Sequence, residues 1–215
     1  KRIHHVEFWV GNAKQASFYY RNAFGFSQFA YAGLETGERE KTSYVMRQGK
    51  TSFVLTTPMS QGGQINEFLS RHGDGVRDIA FHVEDADAAY AAALERGAAS
   101  AAEPHDLTDG PGKVRRAAIK TYGDTIHSLI SYDEAPPTFL PGFEKREIPG
   151  ESTGILRVDH IVGNVELGKM NEWADWYGKV LGFERYISFD DKDISTEYSA
   201  LMSIVMSDNS YAIKV

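Results

Sequence analysis

Residues 2–12 read RIHHVEFWVGN and residues 156–164 read LRVDHIVGN, so a short apolar segment ending in Val-Gly-Asn occurs twice in the chain. Both segments combine β-branched and aromatic side chains with a glycine stop, a composition typical of strands. We therefore predict a strand from Arg2 to Val10 and a second strand from Leu156 to Val162.

A helical pattern of apolar residues follows each of these segments, from about Ala13 to Phe24 and from Leu167 to Leu181. The two patterns end in the same way, at Phe24-Gly25-Phe26 and at Leu181-Gly182-Phe183. Glycine at this point suits the left-handed residue that commonly follows a helix. The chain is therefore predicted to use one strand-helix unit at least twice.

A third, more diverged copy begins at residues 76–83, VRDIAFHV, continues with a predicted helix from Ala86 to Arg96 and ends at Gly97. Two or three segments of alternating character follow each helix, so the repeat has the form βαβββ. In the copy that begins at Leu156, residues Tyr198 to Met206 alternate, with larger side chains on one face and Ser203 and Val205 on the other. We expect the larger side chains to pack beneath the preceding helix and the smaller face to line a ligand hollow.

Four of the seven prolines lie between Pro136 and Pro149, in a stretch that is also rich in glycine. Such a composition disfavours helices and central strands. We predict three parts: an amino-terminal structural domain of two βαβββ modules at 1–132, a linker at 133–154, and the incomplete first module of a second domain at 155–215.

The composition excludes several classes of function. The chain has no cysteine, so disulfides, thiolate nucleophiles and zinc-thiolate sites are excluded and any metal must be held by nitrogen and oxygen ligands. A net charge of −7 with scattered Lys and Arg predicts neither a nucleic-acid nor a membrane-surface partner. No apolar run reaches the length of a membrane helix, and we expect a cytoplasmic protein.

Four segments, VDHIVGNV at 158–165, TEYSALMS at 196–203, HGDGV at 72–76 and LPGF at 140–143, resemble sequences of the 4-hydroxyphenylpyruvate dioxygenase family, and the resemblance covers essentially the whole chain. The first two look like the start of that family's catalytic domain, and the last two resemble its amino-terminal domain. The resemblance implies an α+β vicinal oxygen chelate fold, related to glyoxalase and bleomycin-resistance proteins, in which βαβββ modules form half-open barrels.

The resemblance implies that His160 is a ligand of iron(II). In this family two histidines and a glutamate hold Fe(2+), and the first histidine matches His160. Imidazole is a suitable iron ligand. The alternative is a hydrogen-bonded core histidine without a metal. The other two family ligands match no residue here, so we expect the chain to be part of a longer polypeptide.

Ser203 and Val205 are the predicted substrate-binding residues. Ser203 matches a family position whose hydroxyl lies in the substrate pocket, where it could orient an oxygen-rich ligand. Val205 would form an apolar wall against an aromatic ring. The alternatives are a small residue chosen for space at 203 and ordinary core packing at 205.

By internal alignment, the first domain places His5, Asp78 and Ser128 at the three ligand positions. One histidine, one aspartate and a serine make a poor iron site. We interpret His4, His5, His82 and His127 as strand histidines of a structural domain, and His72 and His105 as loop residues.

The function implied by the resemblance is an iron(II) dioxygenase that converts 4-hydroxyphenylpyruvate and O2 into homogentisate and CO2 in tyrosine and phenylalanine catabolism, with no organic cofactor. The implied partners are an aryl 2-oxo acid, O2 and further copies of the chain in a dimer or tetramer. Two alternatives stay open: 4-hydroxymandelate synthase, and a non-catalytic ligand-binding protein of the same fold.

Overall fold

The computed structural model describes residues 2–107, 113–189 and 202–215. Its strands are β1 Arg2–Trp9, β2 Ser27–Ala32, β3 Lys41–Gln48, β4 Thr51–Pro58, β5 Gly75–His82, β6 Ser100–Leu107, β7 Val114–Lys120, β8 Ile126–Ser131, β9 Glu144–Ile148, β10 Glu184–Phe189 and β11 Ser203–Ser207. Its α-helices are α1 Ala13–Phe24, α2 Gly63–His72, α3 Ala86–Glu95 and α4 Met170–Trp176, with a short 3-10 turn at Leu34–Thr36 and a π-helical turn at Tyr177–Leu181.

One nine-stranded sheet has the order β6-β7-β8-β5-β1-β4-β3-β2-β9. Strands β1 to β4 with α1 form one βαβββ module, and β5 to β8 with α3 form a second. In each module the first and last strands pair in parallel, and the two modules join through the antiparallel pair of β1 and β5. The prediction of an α+β fold built from repeated βαβββ modules is confirmed.

Helix α1 has the predicted limits because both of its ends carry local signals. The side chain of Asn12 accepts a hydrogen bond from the backbone N–H of Gln15, at 2.9 Å, and so caps the first turn. Gly25 follows the last turn with φ of 70°, and its N–H returns to the carbonyl of Arg21. A residue with a side chain would be strained in this conformation.

The helices cover one face of the sheet. Side chains from α3, including Tyr90 and Ala93, and from the α4 region, including Tyr177 and Val180, pack against Ile79, Phe81, Ala117, Ile119 and Leu129 of the sheet. Each fully buried valine, leucine, isoleucine or phenylalanine side chain contributes roughly 1.5–3 kcal/mol to folding. The predicted module at 155–215, the third along the chain, is therefore attached to the second module, β5 to β8 with α3, through a shared apolar core.

Residues of the predicted linker cover the other face. Phe139 is buried against Val45 and Val54, and Leu140 contacts the buried Ala80 and Ile130. Within the same stretch β9 pairs with β2 at the edge of the sheet, which its four glutamate, lysine and arginine residues suit. The division into domains at 133–154 stays a prediction.

Two predictions for the module at 155–215 are wrong, one about a strand and one about the start of a helix. Residues 151–166 form no regular secondary structure, so the strand from Leu156 to Val162 is absent. The helix begins at Met170 and not at Leu167, whose side chain is fully exposed. The predicted strand at Tyr198 to Met206 is observed from Ser203, and Tyr198 to Leu201 lie outside the described residues.

Two histidine assignments are also wrong. His72 is the last residue of α2, a helix that the sequence reading missed, and His105 lies in β6. His4, His5, His82 and His127 do lie in strands. None of the described helices is long and apolar enough to cross a lipid bilayer.

Candidate metal and substrate site

His160 lies in the irregular segment between the linker and α4. Its side chain is 55% exposed, and Nδ1 lies 2.9 Å from Oδ2 of Asp159. The corresponding β1 residues pair with strands on both sides, whereas here the N–H of Ile161 donates to the carbonyl of Lys214 and, among the described residues, no second partner strand flanks the segment. The interpretation of His160 as a strand residue is therefore wrong, because a strand requires neighbours that satisfy its backbone.

All three residues predicted from the resemblance line the same cavity. This cavity, of about 300 Å3, is bounded by residues 160–168, by α4 and by β11, and His160, Ser203 and Val205 all contribute to its wall. Its volume is at the lower end of the range for small-molecule sites. The structure thus brings together residues that are more than 40 positions apart in sequence.

The burial along β11 does not follow the predicted alternation, because Ser203, Ile204 and Val205 are all half-buried and Met206 and Ser207 are both buried. Met206 is buried and packs with Tyr177 and Val180, and Ile204 lies against the same core. Met202 also departs from the predicted pattern, because its side chain is exposed. The roles of Ser203 and Val205 in binding a substrate stay predictions.

Asp159 links His160 to the end of the described chain. Its carboxylate accepts hydrogen bonds from His160 and from the ammonium group of Lys214, at 2.9 and 3.1 Å, and these contacts lower the pKa of Asp159, with the His160 contact the larger cause. A carboxylate that binds Nδ1–H of an imidazole directs the Nε2 lone pair away from itself. This arrangement is common among histidines that bind metals. Sequence reasoning did not single out Asp159, although its position next to the histidine was visible.

A complete metal site is not present in the part of the chain that the structure describes. Within residues 2–107, 113–189 and 202–215, no three His, Asp or Glu side chains converge closely enough to hold an ion. His160 and Asp159 are therefore one potential ligand and its hydrogen-bonding partner.

The three ligand positions of the amino-terminal domain meet around an arginine. The backbone N–H and the hydroxyl of Ser128 both donate to the carboxylate of Asp78, and the guanidinium of Arg116 contacts the Ser128 hydroxyl at 3.0 Å and Asp78 at 3.5 Å. Burial raises the pKa of Asp78, and the charge of Arg116 opposes that rise. Burial lowers the pKa of His5 to about 3, and Arg116 adds to the effect. Arg116 thus pairs with two of the three aligned positions, Asp78 and Ser128.

Sequence reasoning missed Arg116. The available signal was a charged residue in the middle of the strand VRRAAIK, where a half-buried charge favours a partner of opposite sign. Asp78, two strands away in the sheet, is that partner.

Comparisons with known proteins agree with the fold. Residues 2–140 match the family model described as hydroxyphenylpyruvate dioxygenase, N-terminal. The chain is 46% identical over 221 residues to a 4-hydroxyphenylpyruvate dioxygenase of Danio rerio, covering 99% of this chain and 56% of that relative. It is 40% identical to the corresponding protein of Aspergillus fumigatus, covering 100% of this chain and 59% of that relative.

A solved structure of a 4-hydroxymandelate synthase mutant from Streptomyces coelicolor is similar as well. The TM-score is 0.83 at 24% identity, covering 99% of this chain and 61% of that one, which supports the fold alone. The chain thus spans less than two thirds of the length of the relatives that it matches. The family model, which covers most of the chain, shows that this protein belongs to the hydroxyphenylpyruvate dioxygenase family.

Proposed function

We propose that these residues form the amino-terminal domain and the first module of the catalytic domain of an iron(II) dioxygenase. The reaction converts 4-hydroxyphenylpyruvate and O2 into homogentisate and CO2, in the cytoplasmic catabolism of tyrosine and phenylalanine. The observation that carries the proposal is the shared cavity, in which the predicted ligand His160 lies with the predicted substrate residues Ser203 and Val205. The names of the relatives, at 40–46% identity, support it.

The local chemistry fits iron. Nδ1 of His160 donates to the Asp159 carboxylate, so Nε2 carries the lone pair that an Fe(2+) ion requires. More than half of the side chain is exposed, which leaves the ring accessible to an ion. His160 would supply one ligand. The other two family ligands, a histidine and a glutamate, are assigned to no residue of this chain.

Iron(II), when bound, supplies open coordination positions at which an aryl 2-oxo acid and O2 are brought together. The protein residues then hold and orient the reactants. Asp159 fixes the tautomer and the direction of the His160 ring. The hydroxyl of Ser203 donates to an oxygen of the 2-oxo acid, and Val205 packs against the substrate ring. Trp173 and Tyr177 on the helical wall help to exclude water from the cavity.

We also propose that the protein assembles with further copies of itself, as a dimer or a tetramer. The basis is analogy with the family. Size-exclusion chromatography with light scattering measures the mass directly.

The test joins residues 1–215 to the remaining part of the Danio rerio relative and identifies the product formed from 4-hydroxyphenylpyruvate under air. Homogentisate with release of CO2 is the expected result. Formation of 4-hydroxymandelate would replace the proposal with the synthase alternative. Binding of the substrate without any product or O2 uptake would favour a non-catalytic protein.

A further inference from the structure

Another cavity, of about 620 Å3, lies between the β3–β4 hairpin, linker residues 135–139 and residues 157–158. It shares no lining residue with the cavity that contains His160. Its volume is within the range of sites that enclose small organic molecules. The cavity is therefore large enough for a ligand of its own.

The charge of this cavity is one-sided. Arg2, Arg47, Lys50 and Arg157 line it, and no acidic side chain does so among the described residues. Arg157 approaches Asp159 at 3.9 Å, whereas the other three cations form no ion pair in the described part of the chain. This protein has a net charge of −7, so the charge of the side chains around this cavity is opposite in sign to that of the whole protein.

Part of this charge is held in place and partly buried. The guanidinium of Arg47 lies 3.8 Å from the centre of the Phe29 ring and donates to the hydroxyl of Ser52 at 3.3 Å. Burial lowers the pKa of Arg47, and the nearby Arg2 adds to that effect. Gathering like charges in a partly buried place costs free energy, which a bound anion would offset.

Aromatic rings complete the wall. Phe29, Tyr132 and Phe139 line the cavity, and the hydroxyl of Tyr132 accepts a hydrogen bond from Arg2 at 3.2 Å. A guanidinium matches the geometry of carboxylate and phosphate groups, and flat apolar walls suit a ring. An inorganic ion would satisfy the charges but leave the aromatic wall unused.

We propose that this cavity binds a small organic anion, an aromatic ring that bears a carboxylate or phosphate group, with the acid group on Arg47, Lys50 and Arg157 and the ring against Tyr132 and Phe139. The proposal does not depend on iron or on the proposed reaction. The acid could be a carboxylate or a phosphate, because the cavity presents the same cations to both.

The test is calorimetric titration of the purified chain in EDTA with phenyl phosphate, benzoate, inorganic phosphate and benzyl alcohol. At least one of the two aromatic acids is expected to bind in a saturable manner with one site per chain, at least about tenfold tighter than inorganic phosphate or benzyl alcohol. Binding should weaken when NaCl is raised from about 50 to about 500 mM, because exposed charges are screened. Whichever aromatic acid binds tighter identifies the acid group.

A double variant locates the site. Lys50→Met with Arg157→Met removes two exposed cations from the cavity and should weaken binding about tenfold or more. Lys14→Met with Arg39→Met makes the same change of net charge at exposed positions outside the cavity and should leave binding within about twofold. Absence of saturable binding by both aromatic acids, or equal weakening in the two double variants, would overturn the proposal.

Discussion

The hydroxyl of Tyr177 lies 2.8 Å from Nε2 of His127, inside the core where the third module packs on the amino-terminal sheet. The other ring nitrogen, Nδ1, donates to the carbonyl of Ile79 at 3.0 Å, so Nε2 accepts the hydroxyl proton of Tyr177. Both side chains are buried. This polar contact, together with the surrounding apolar core, helps to hold the helical segment that borders the candidate site.

Replacing Tyr177 with phenylalanine should destabilise the protein by about 1–3 kcal/mol, because Nε2 of His127 would be left buried without a donor. Urea denaturation measures the loss in the free energy of unfolding. The matched control is Tyr186→Phe, in which an exposed hydroxyl is removed and the change should stay within about 0.5 kcal/mol. Equal small effects of the two substitutions would contradict the assignment of this hydrogen bond.

The buried histidines should make the fold sensitive to acid. Burial lowers the pKa of His127 from 6.5 to about 4 and, with a smaller contribution from Arg116, that of His5 to about 3. Between pH 6.5 and 4 the unfolded chain therefore binds more protons than the folded chain, and the free energy of unfolding falls as the pH falls. For His127 alone, the free energy of unfolding should be about 2 kcal/mol lower at pH 5 than at neutral pH.

His127→Gln provides the check, because glutamine does not titrate. Near pH 5 the slope of unfolding free energy against pH should decrease by about 1.2 kcal/mol per pH unit relative to the unmodified chain. His105→Gln, at an exposed position of β6, should leave the slope unchanged. The same slope in the His127 variant and the unmodified chain would show that His127 is not held neutral by the fold.

Arg116 should be required for the stability of the fold, because its charge balances the buried carboxylate of Asp78. Arg116→Met removes the cation next to Asp78 and should cost about 3 kcal/mol of stability. In the double variant with Asp78→Asn the uncompensated charge is gone, so the total loss should be smaller than the sum of the two single losses. Strict additivity in this double-mutant cycle would contradict the pairing.

The structure was most predictable where the sequence carries local signals. Asn12 and Gly25 define the ends of α1 through contacts within a few residues, and the limits of that helix are as predicted. The repeated pattern of strand, helix and glycine likewise predicted the two modules of the large sheet. These features depend on short-range geometry that one sequence contains.

The errors occur where structure depends on distant partners. Residues 156–162 have the composition of a strand, but a strand forms only where neighbours satisfy its backbone, and a single sequence does not show which neighbours exist. Helix α2 has few apolar residues and an N-cap at Gly62 without a side-chain hydrogen bond, so it carried a weak signal. Arg116 was missed because its partner Asp78 is remote in sequence.

The candidate site was predictable only where the family resemblance identified its residues. The resemblance identified His160, Ser203 and Val205, and the structure places them on one cavity. Asp159 was adjacent in sequence but became noticeable only through its contacts with His160 and Lys214. The cationic cavity at Arg47 could not be predicted, because its four cations come from three separate segments of the chain.

The most direct measurement of the central claim is the iron content of residues 1–215 joined to the remaining part of the Danio rerio relative, after anaerobic reconstitution with Fe(2+). About one iron per chain is expected, and His160→Ala should weaken iron binding by at least about tenfold while His105→Ala does not. Full iron content and undiminished homogentisate formation in the His160→Ala protein would contradict the assignment of His160 as a ligand.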